Sequence, residues 1–213
     1  MLLTPAEAAA IESRVAKLEA ERGVEVVTVL TRKSDVYPET VWKAFALGAA
    51  LGALAVALAD LAHPAWTGAA LALTSVLLVL GAGAACAVAA VFVPAVTRLF
   101  LRGSRVALET QQYAKAQFLD RELFATGGRT AILLLVSLLE RRVVILADTG
   151  LRGQVMAEDW ERVIARMGAP LRAGRRGEAV LAGLDAIDEL LVRRRIARGG
   201  GAAFGDRPIE ADR

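Results

Sequence analysis

The sequence predicts an α/β sandwich that is interrupted by a two-helix transmembrane hairpin, and three observations lead to this fold class. The chain has 213 residues, of which 55% are hydrophobic and 23% charged, so it is too apolar for a purely soluble protein. From Ala44 to Phe100 the only charged residues are Asp60 and Arg98. On both sides of this block, amphipathic patterns and short runs rich in β-branched residues follow each other, as in helices packed on a sheet.

The first elements are an amphipathic helix over residues 5–22 and a strand over residues 24–30. Thr4 and Glu7 form a capping box around a first-turn proline, and apolar residues then recur at helical spacing until Gly23. The strand is rich in valine and is bounded by this glycine and by a polar run. One helix and one strand cannot bury a core, so we expect their partners beyond the hairpin.

The hairpin is predicted to occupy residues 41–101, with crossings at about 43–61 and 67–92. About 20 apolar residues cross a hydrocarbon core, and a short break around His63 separates the two runs. Lys and Arg flank both outer ends, whereas the break has none. The positive-inside rule therefore predicts a multi-pass protein of the bacterial inner membrane with both termini in the cytoplasm. Asp60 lies beside the break, which favours an interfacial carboxylate over a proton carrier.

Gly48 and Gly52 form a G-x-x-x-G motif in the first crossing. Small residues at this spacing let two helices approach closely in lipid. The two crossings of one chain can pack on each other through this seam, or two copies can associate through it as a homo-oligomer. Both interpretations remain open from the sequence.

After the hairpin, a helical pattern over residues 104–124 is expected to extend the second crossing out of the membrane. Residues 131–139 are apolar on both faces, which is typical of a central strand covered by helices. A polar turn, Glu140-Arg141-Arg142, leads into a second strand over residues 143–147, so the two strands are predicted to form a β-hairpin that ends at Asp148.

Two further amphipathic helices follow, separated by an expected loop over residues 168–177. These elements complete one soluble domain in two pieces, residues 1–40 and 102–197. The tail, residues 198–213, begins with a glycine run and has no apolar periodicity, so we expect it to be mobile.

The run LLLVSLLERRVVILADTG (residues 133–150), the later helix with Trp160 and the loop GRRGE (174–178) together resemble the TPM-domain family. The N-terminal helix and strand, residues 3–30, are similar to the opening of that family. The resemblance implies a small Rossmann-like sandwich attached to a membrane, with a role in upkeep or assembly of membrane complexes. Divalent-cation binding and weak phosphatase activity are attributed to some members.

Residue by residue, the resemblance extends to Glu140, Arg141, Asp148 and Gly150. The family often carries an acidic loop before its central strand, whereas residues 127–130 here contain no carboxylate. The carboxylates near strand ends are those of Asp35, Glu39, Glu140 and Asp148. Asp148 is the candidate ligand for Ca²⁺ or Mg²⁺, and the alternative is that it caps a helix or closes a turn. Glu140 and Arg141 are candidate interaction residues, and the alternative is a solvated turn.

Several classes of function are disfavoured. A single cysteine, Cys86, excludes a disulfide within the chain, and with the single histidine, His63, it leaves no Cys/His set of the kind that holds structural zinc. No nucleophile-elbow, P-loop or zincin motif occurs, and no cofactor is predicted. The net charge of +3 is carried mainly by arginine in an alanine-rich chain without asparagine, a pattern that genome base composition explains without a nucleic-acid partner.

The sequence therefore predicts a membrane-anchored, non-catalytic interaction module whose partners are the lipid bilayer and other membrane proteins. One alternative is a divalent-cation-dependent phosphatase of the TPM type that uses Asp148. A second alternative is a transport element built from oligomerised hairpins.

Overall fold

The computed structural model describes residues 2–62, 68–101, 103–126, 128–196 and 208–211. The chain forms two compact units, here called the sheet unit (Met1–Asp35 with Ala107–Arg213) and the hairpin unit (Val36–Val106). The helices and strands are α1 (Pro5–Arg22), β1 (Val26–Thr31), α2 (Pro38–Ala62), α3 (Ala69–Phe92), α4 (Pro94–Phe100), α5 (Gly103–Asp120), β2 (Ile132–Ser137), β3 (Arg142–Ala147), α6 (Ala157–Arg172), α7 (Arg176–Arg193) and β4 (Ile209–Ala211).

The sheet has the order β3-β2-β1-β4. β1 and β2 run parallel from the pair Val26 and Ile132 to the pair Thr31 and Ser137. β2 and β3 are antiparallel, as predicted for a hairpin. Strands from both sides of the apolar block thus share one sheet, which confirms the predicted α/β sandwich.

Each face of the sheet carries its own core. One core combines residues of α1, α6 and α7 with side chains such as Leu30 and Leu134. The other core combines Tyr113 and Ala114 of α5 with side chains such as Leu133. All six residues of β2 are buried, which explains why this strand is apolar at consecutive positions rather than at alternate ones.

The α1 helix has the predicted bounds and the predicted ends. The Thr4 hydroxyl accepts a hydrogen bond from the Glu7 backbone N–H, and the Glu7 carboxylate accepts one from the Thr4 N–H. Gly23 ends the helix at φ 66°, a left-handed conformation that glycine adopts without a steric penalty. On the sheet-unit surface Arg14 and Arg22 bind Asp188 of α7 at 2.8 and 2.5 Å.

The prediction of a mobile tail is wrong for Ile209–Ala211, which form β4 and pair in parallel with β1. Ile209 packs against the core on the α5 side, and the Glu210 carboxylate accepts hydrogen bonds from the N–H groups of Leu2 and Leu3 at 2.7 and 2.9 Å. A strand of three residues is too short to show periodicity, and its position depends on an edge of β1 that is far away in the chain. The rest of the predicted tail, apart from residue 208, lies outside the described residues.

The helix over 104–124 was expected to continue the second crossing, and this expectation is wrong. α3 ends at Phe92 and α4 begins at Pro94, because proline has no backbone N–H to continue the helix. Leu101 then has an extended backbone, so α5 is a separate helix. The break between the two crossings, residues 63–67, lies outside the described residues.

The expected loop over 168–177 is mostly helical. α6 continues through Pro170 to Arg172, and α7 begins at Arg176. The continuation buries Met167 and Pro170. A Cβ at Gly183 of α7 would lie 2.7 Å from the Met167 sulfur, so the two helices are in close contact. This packing outweighs the low helix propensity of glycine and proline near the end of α6.

Candidate functional site

A buried polar cluster lies where the parallel strands β1 and β2 end. The Glu140 carboxylate accepts a hydrogen bond from the Ser34 backbone N–H at 2.7 Å and one from the Ser137 hydroxyl. The Ser34 hydroxyl lies 2.9 Å from the Ser137 hydroxyl. Glu140 is 9% exposed, and both serines are less exposed than that. The cluster therefore ties the loop after β1 to the turn after β2.

The interpretation of Glu140-Arg141-Arg142 as a solvated turn holds only for its two arginines. Arg141 and Arg142 are exposed, whereas Glu140 is buried. Arg141 has a φ of 52°, which directs the chain sharply from β2 into β3. The structure thus separates the two candidate interaction residues: Glu140 binds groups inside the fold, and Arg141 faces solvent.

Asp148 lies at the opposite end of the β2–β3 hairpin and forms a bidentate ion pair with Arg129. The Arg129 Nε and Nη2 atoms donate to the two carboxylate oxygens at 2.8 and 3.0 Å. One of these oxygens also accepts from the Thr149 backbone N–H at 2.6 Å. Burial by itself raises the pKa of Asp148, but the Arg129 guanidinium and the Thr149 N–H outweigh burial and hold the pKa below its ordinary value.

The loop that carries Arg129 is packed tightly against the turn after β3. Arg129 has a φ of 52°, and its carbonyl oxygen accepts a hydrogen bond from the Gly150 N–H at 2.8 Å. A Cβ at Gly150 would lie 2.6 Å from that same oxygen, so only glycine fits there without a shift of the backbone. This close approach explains the Asp-Thr-Gly sequence at the end of β3.

The surroundings of Asp148 do not fit a divalent cation. A hard cation such as Ca²⁺ binds six to eight oxygen ligands, usually with several carboxylates. Both oxygens of Asp148 are instead bound to a guanidinium. Within the described ranges, no group of three or more His, Cys, Asp or Glu side chains could hold a metal ion. Asp148 acts here as a cap of the short 3₁₀ turn Thr149–Leu151 and as the partner of Arg129.

The Asp148→Asn variant is expected to unfold more easily than the wild type at neutral pH and to lose this difference in acid. The pKa of Asp148 is lower in the folded chain than in the unfolded chain, where it is about 3.9. The ion pair therefore stabilises fully above that value, and its contribution is lost as the pH falls through the folded-state pKa. Thermal unfolding of wild type and Asp148→Asn, measured from neutral to acid pH, gives the stability difference at neutral pH and shows whether it is lost in acid.

Arg175→Gln is a suitable control, because its ion pair with Glu178 is exposed on both sides. A constant difference between wild type and Asp148→Asn at all pH values would contradict the ion-pair assignment. Addition of Ca²⁺ or EDTA is expected to leave the unfolding midpoint unchanged. A clear rise with Ca²⁺ would contradict the assignment of Arg129 as the partner of both Asp148 oxygens.

Asp159, a buried carboxylate at the start of α6, is not among the site residues predicted from the sequence. It accepts a hydrogen bond from the Met156 backbone N–H at 3.1 Å and binds the guanidinium groups of Arg162 and Arg194. Burial raises the pKa of Asp159, but the Met156 N–H and the two arginines outweigh burial and lower it. The sequence does contain one signal for this site, because Asp159 lies in the first turn of α6 and Arg162 follows it three residues later, a spacing that favours an ion pair on a helix. Arg194 is distant in sequence and had no such signal.

The glycines of the G-x-x-x-G motif lie between the two helices of the hairpin unit. A Cβ at Gly48 would lie 2.5 Å from the Ala82 carbonyl oxygen and 2.8 Å from the Cys86 Cβ. A Cβ at Gly52 would lie 3.1 Å from the Ala82 Cβ. The seam is thus occupied by α3 of the same chain, which favours packing within the hairpin over association of two copies through this face.

The described clusters show no arrangement typical of hydrolysis. The Ser137 hydroxyl donates to Glu140, as a nucleophile does to a base, but Ser137 is 1% exposed and lies in a closed hydrogen-bonded cluster. The chain's single histidine and single cysteine both belong to the segment 36–106. Three of the buried carboxylates, Glu140, Asp148 and Asp159, bind backbone or side-chain donors of the sheet unit.

Comparison with known proteins agrees with this architecture. The model of the TPM domain matches residues 86–190, which run from within α3 to α7 and include β2, β3 and Asp148. The NMR structure of the BA42 protein from the psychrophilic bacterium Bizionia argentinensis is similar in fold, with a TM-score of 0.57 at 11% identity over 99% of this chain and 97% of that chain. No curated protein matches the chain. The TPM domain model thus matches the stretch from within α3 to α7, and the sheet also includes β1, which lies before the apolar helices.

Proposed function

We propose that the chain is a membrane-anchored, non-catalytic interaction module of the bacterial inner membrane. In this proposal the TPM domain lies on the cytoplasmic side, and it contacts other membrane proteins during the upkeep or assembly of their complexes. The two apolar helices hold it at the bilayer.

The observation that carries the proposal is the surface of the hairpin unit. α2 and α3 have 25 and 24 residues, and both are long and apolar enough to cross a membrane. In each span only 11% of the most apolar window is buried, whereas the core helix of a soluble protein buries most of its apolar residues. The exposed large side chains of α2 and α3 include Leu47, Leu51, Leu54, Leu58, Leu73, Leu77, Leu78 and Leu80.

The orientation follows from the charges at the two ends of the hairpin unit. Lys43, Arg98 and Arg105 lie at the end where the chain enters and leaves this unit, and Asp60 is the only charged residue near the other end of α2. The positive-inside rule assigns the end with the basic residues to the cytoplasm. Both chain termini then lie on the cytoplasmic side.

An exposed strand edge supports the interaction role. β3 is the first strand in the sheet order, so its outer edge pairs with no other described strand. Four of its residues, Val143 to Leu146, are apolar and half-buried. Edge strands with apolar side chains can pair with an extended segment of another protein. Arg141 and Arg142 lie at the start of this edge, and both are exposed.

Single cysteines test the anchor and its orientation. In a Cys86→Ala background, Glu12→Cys places a thiol on the exposed face of α1, and Ala62→Cys places one at the exposed end of α2. We expect a membrane-impermeant maleimide to label Ala62→Cys in intact spheroplasts and Glu12→Cys only after lysis. Labelling of Glu12→Cys in intact spheroplasts would overturn the orientation, and release of the chain by alkaline carbonate would overturn the anchor.

Photo-crosslinking tests the partner surface in native membranes. A benzophenone amino acid at Arg141 is expected to form adducts with membrane proteins, because this position adjoins the open edge of β3. The matched control is Lys17, which is 67% exposed on α1, a helix that packs on α7 and β1. Adducts of equal pattern and yield at both positions, or none at position 141, would contradict an interaction surface at β3.

A further inference from the structure

A cavity of about 430 Å³ lies within the hairpin unit at the start of α2. It is lined by residues of three segments: Tyr37, Glu39 and Lys43 at the beginning of α2, Leu101 after α4, and Ser104 and Arg105 in the first turn of α5. This volume falls in the range of small-ligand sites. In the proposed function Lys43 and Arg105 contribute only their charge to the orientation of the hairpin unit, and no partner contact involves this cavity.

The charged groups of the cavity leave one positive charge uncompensated. The Arg105 guanidinium lies 3.0 Å from the Glu39 carboxylate, so these two groups neutralise each other. Lys43 is half-buried and forms no ion pair with any carboxylate in the described part of the chain. The carboxylate of Glu39, one helical turn before Lys43, is bound to Arg105, so an anionic ligand in the cavity would pair with the Lys43 ammonium. The cavity therefore suits a ligand with a single negative charge.

The position of the cavity along α2 indicates where this ligand comes from. Trp42, next to Lys43, is 73% exposed and packs edge-on against Phe45. The exposed leucines of α2 begin at Leu47. Tryptophan at the end of an apolar span marks the headgroup layer of a bilayer. The cavity thus opens at headgroup depth, and the apolar side chain of Leu101 lies beside its polar groups.

We propose that this cavity binds the phosphodiester headgroup of an anionic phospholipid of the cytoplasmic leaflet, such as phosphatidylglycerol. The inference rests on the proposed function, because it requires α2 to lie in the bilayer. Lys43 supplies the charge for the phosphate, and the Ser104 hydroxyl is a hydrogen-bond donor in the same cavity. A bound headgroup links the first turns of α2 and α5, so the lipid also stabilises the hairpin unit.

The test is lipid retention by the full chain. The protein is reconstituted in nanodiscs of phosphatidylcholine with or without phosphatidylglycerol, released into mild detergent and examined by native mass spectrometry. We expect phosphatidylglycerol to be retained in preference to phosphatidylcholine. Lys43→Gln is expected to lower this retention about fivefold, since one basic group near anionic lipid contributes that much to binding.

Two matched variants and a control with inorganic phosphate complete the experiment. Lys43→Arg keeps the charge and is expected to retain the lipid, as is Lys115→Gln, which removes an exposed lysine of α5 outside the cavity. Equal retention of phosphatidylglycerol by Lys43→Gln and wild type would overturn the inference. A thermal shift with inorganic phosphate in detergent as large as that with phosphatidylglycerol would assign the site to free phosphate and overturn the lipid source.

Membrane extraction separates this inference from the proposed function. Lys43→Gln is expected to remain in the carbonate-resistant membrane fraction, because the apolar spans are unchanged. Loss of the wild-type chain from that fraction would overturn the anchor itself. If the chain stays in the membrane fraction but retains lipids regardless of headgroup charge, only the phospholipid site is overturned and the anchor stands.

Discussion

Replacing Glu140 with alanine is expected to lower the free energy of unfolding of the sheet unit by about 3 kcal/mol. The substitution removes the acceptor for the Ser34 backbone N–H and for the Ser137 hydroxyl, and both donors lie in the protein interior. A buried donor that loses its partner costs about 1 to 3 kcal/mol, and the loss is larger when the acceptor is ionised. Thermal or urea unfolding of the detergent-solubilised chain, followed by circular dichroism, measures the effect.

Two variants in the same turn serve as controls for Glu140→Ala. Glu140→Gln keeps one acceptor oxygen and is expected to lose less stability than the alanine variant. Arg141→Ala changes an exposed side chain and is expected to alter stability by no more than about 0.5 kcal/mol. Equal losses for Glu140→Ala and Arg141→Ala would show that the buried cluster does not hold the ends of β1 and β2 together.

The second large effect is expected for Gly48→Ala in the hairpin unit. The new methyl group would lie 2.5 Å from the Ala82 carbonyl oxygen and 2.8 Å from the Cys86 Cβ, so α2 and α3 must move apart. Overpacking of this kind costs about 1 to 3 kcal/mol, and a backbone oxygen has little freedom to move away. Unfolding of the hairpin in mixed micelles with increasing SDS is the appropriate measurement.

Gly81 of α3 provides the matched control for Gly48. A Cβ at Gly81 meets no described atom within 4 Å, and alanine favours helix by up to about 1 kcal/mol relative to glycine. Gly81→Ala is therefore expected to be neutral or stabilising. If Gly48→Ala left hairpin stability unchanged and altered oligomer size instead, the seam would serve association between copies and not packing within one chain.

Much of the fold could be predicted because the determining signals are local. The capping box of Thr4 and Glu7 and the left-handed Gly23 fix both ends of α1 within a few residues of sequence. The consecutive apolar residues of β2 identify a strand that is buried on both faces. Length and apolarity are likewise properties of α2 and α3 themselves.

The candidate site was less predictable, because its chemistry depends on pairs that are distant in sequence. Glu140 looks like a turn residue until β1 brings Ser34 beside it. Asp148 looks like a metal ligand until the loop before β2 brings Arg129 onto both of its oxygens. An isolated carboxylate in a sequence does not reveal whether its counter-charge is a metal ion or an arginine.

The sequence by itself determined α1, the buried strands and the apolar spans, since these depend on periodicity, capping and transfer from water, which act over a few neighbouring residues. Tertiary structure alone decided that Val26 pairs with Ile132, that Ile209–Ala211 cover the edge of β1, and that Gly48 contacts α3. These contacts join segments separated by tens of residues or more. Burial and hydrogen bonding across the folded chain select such pairs, and no local pattern encodes them.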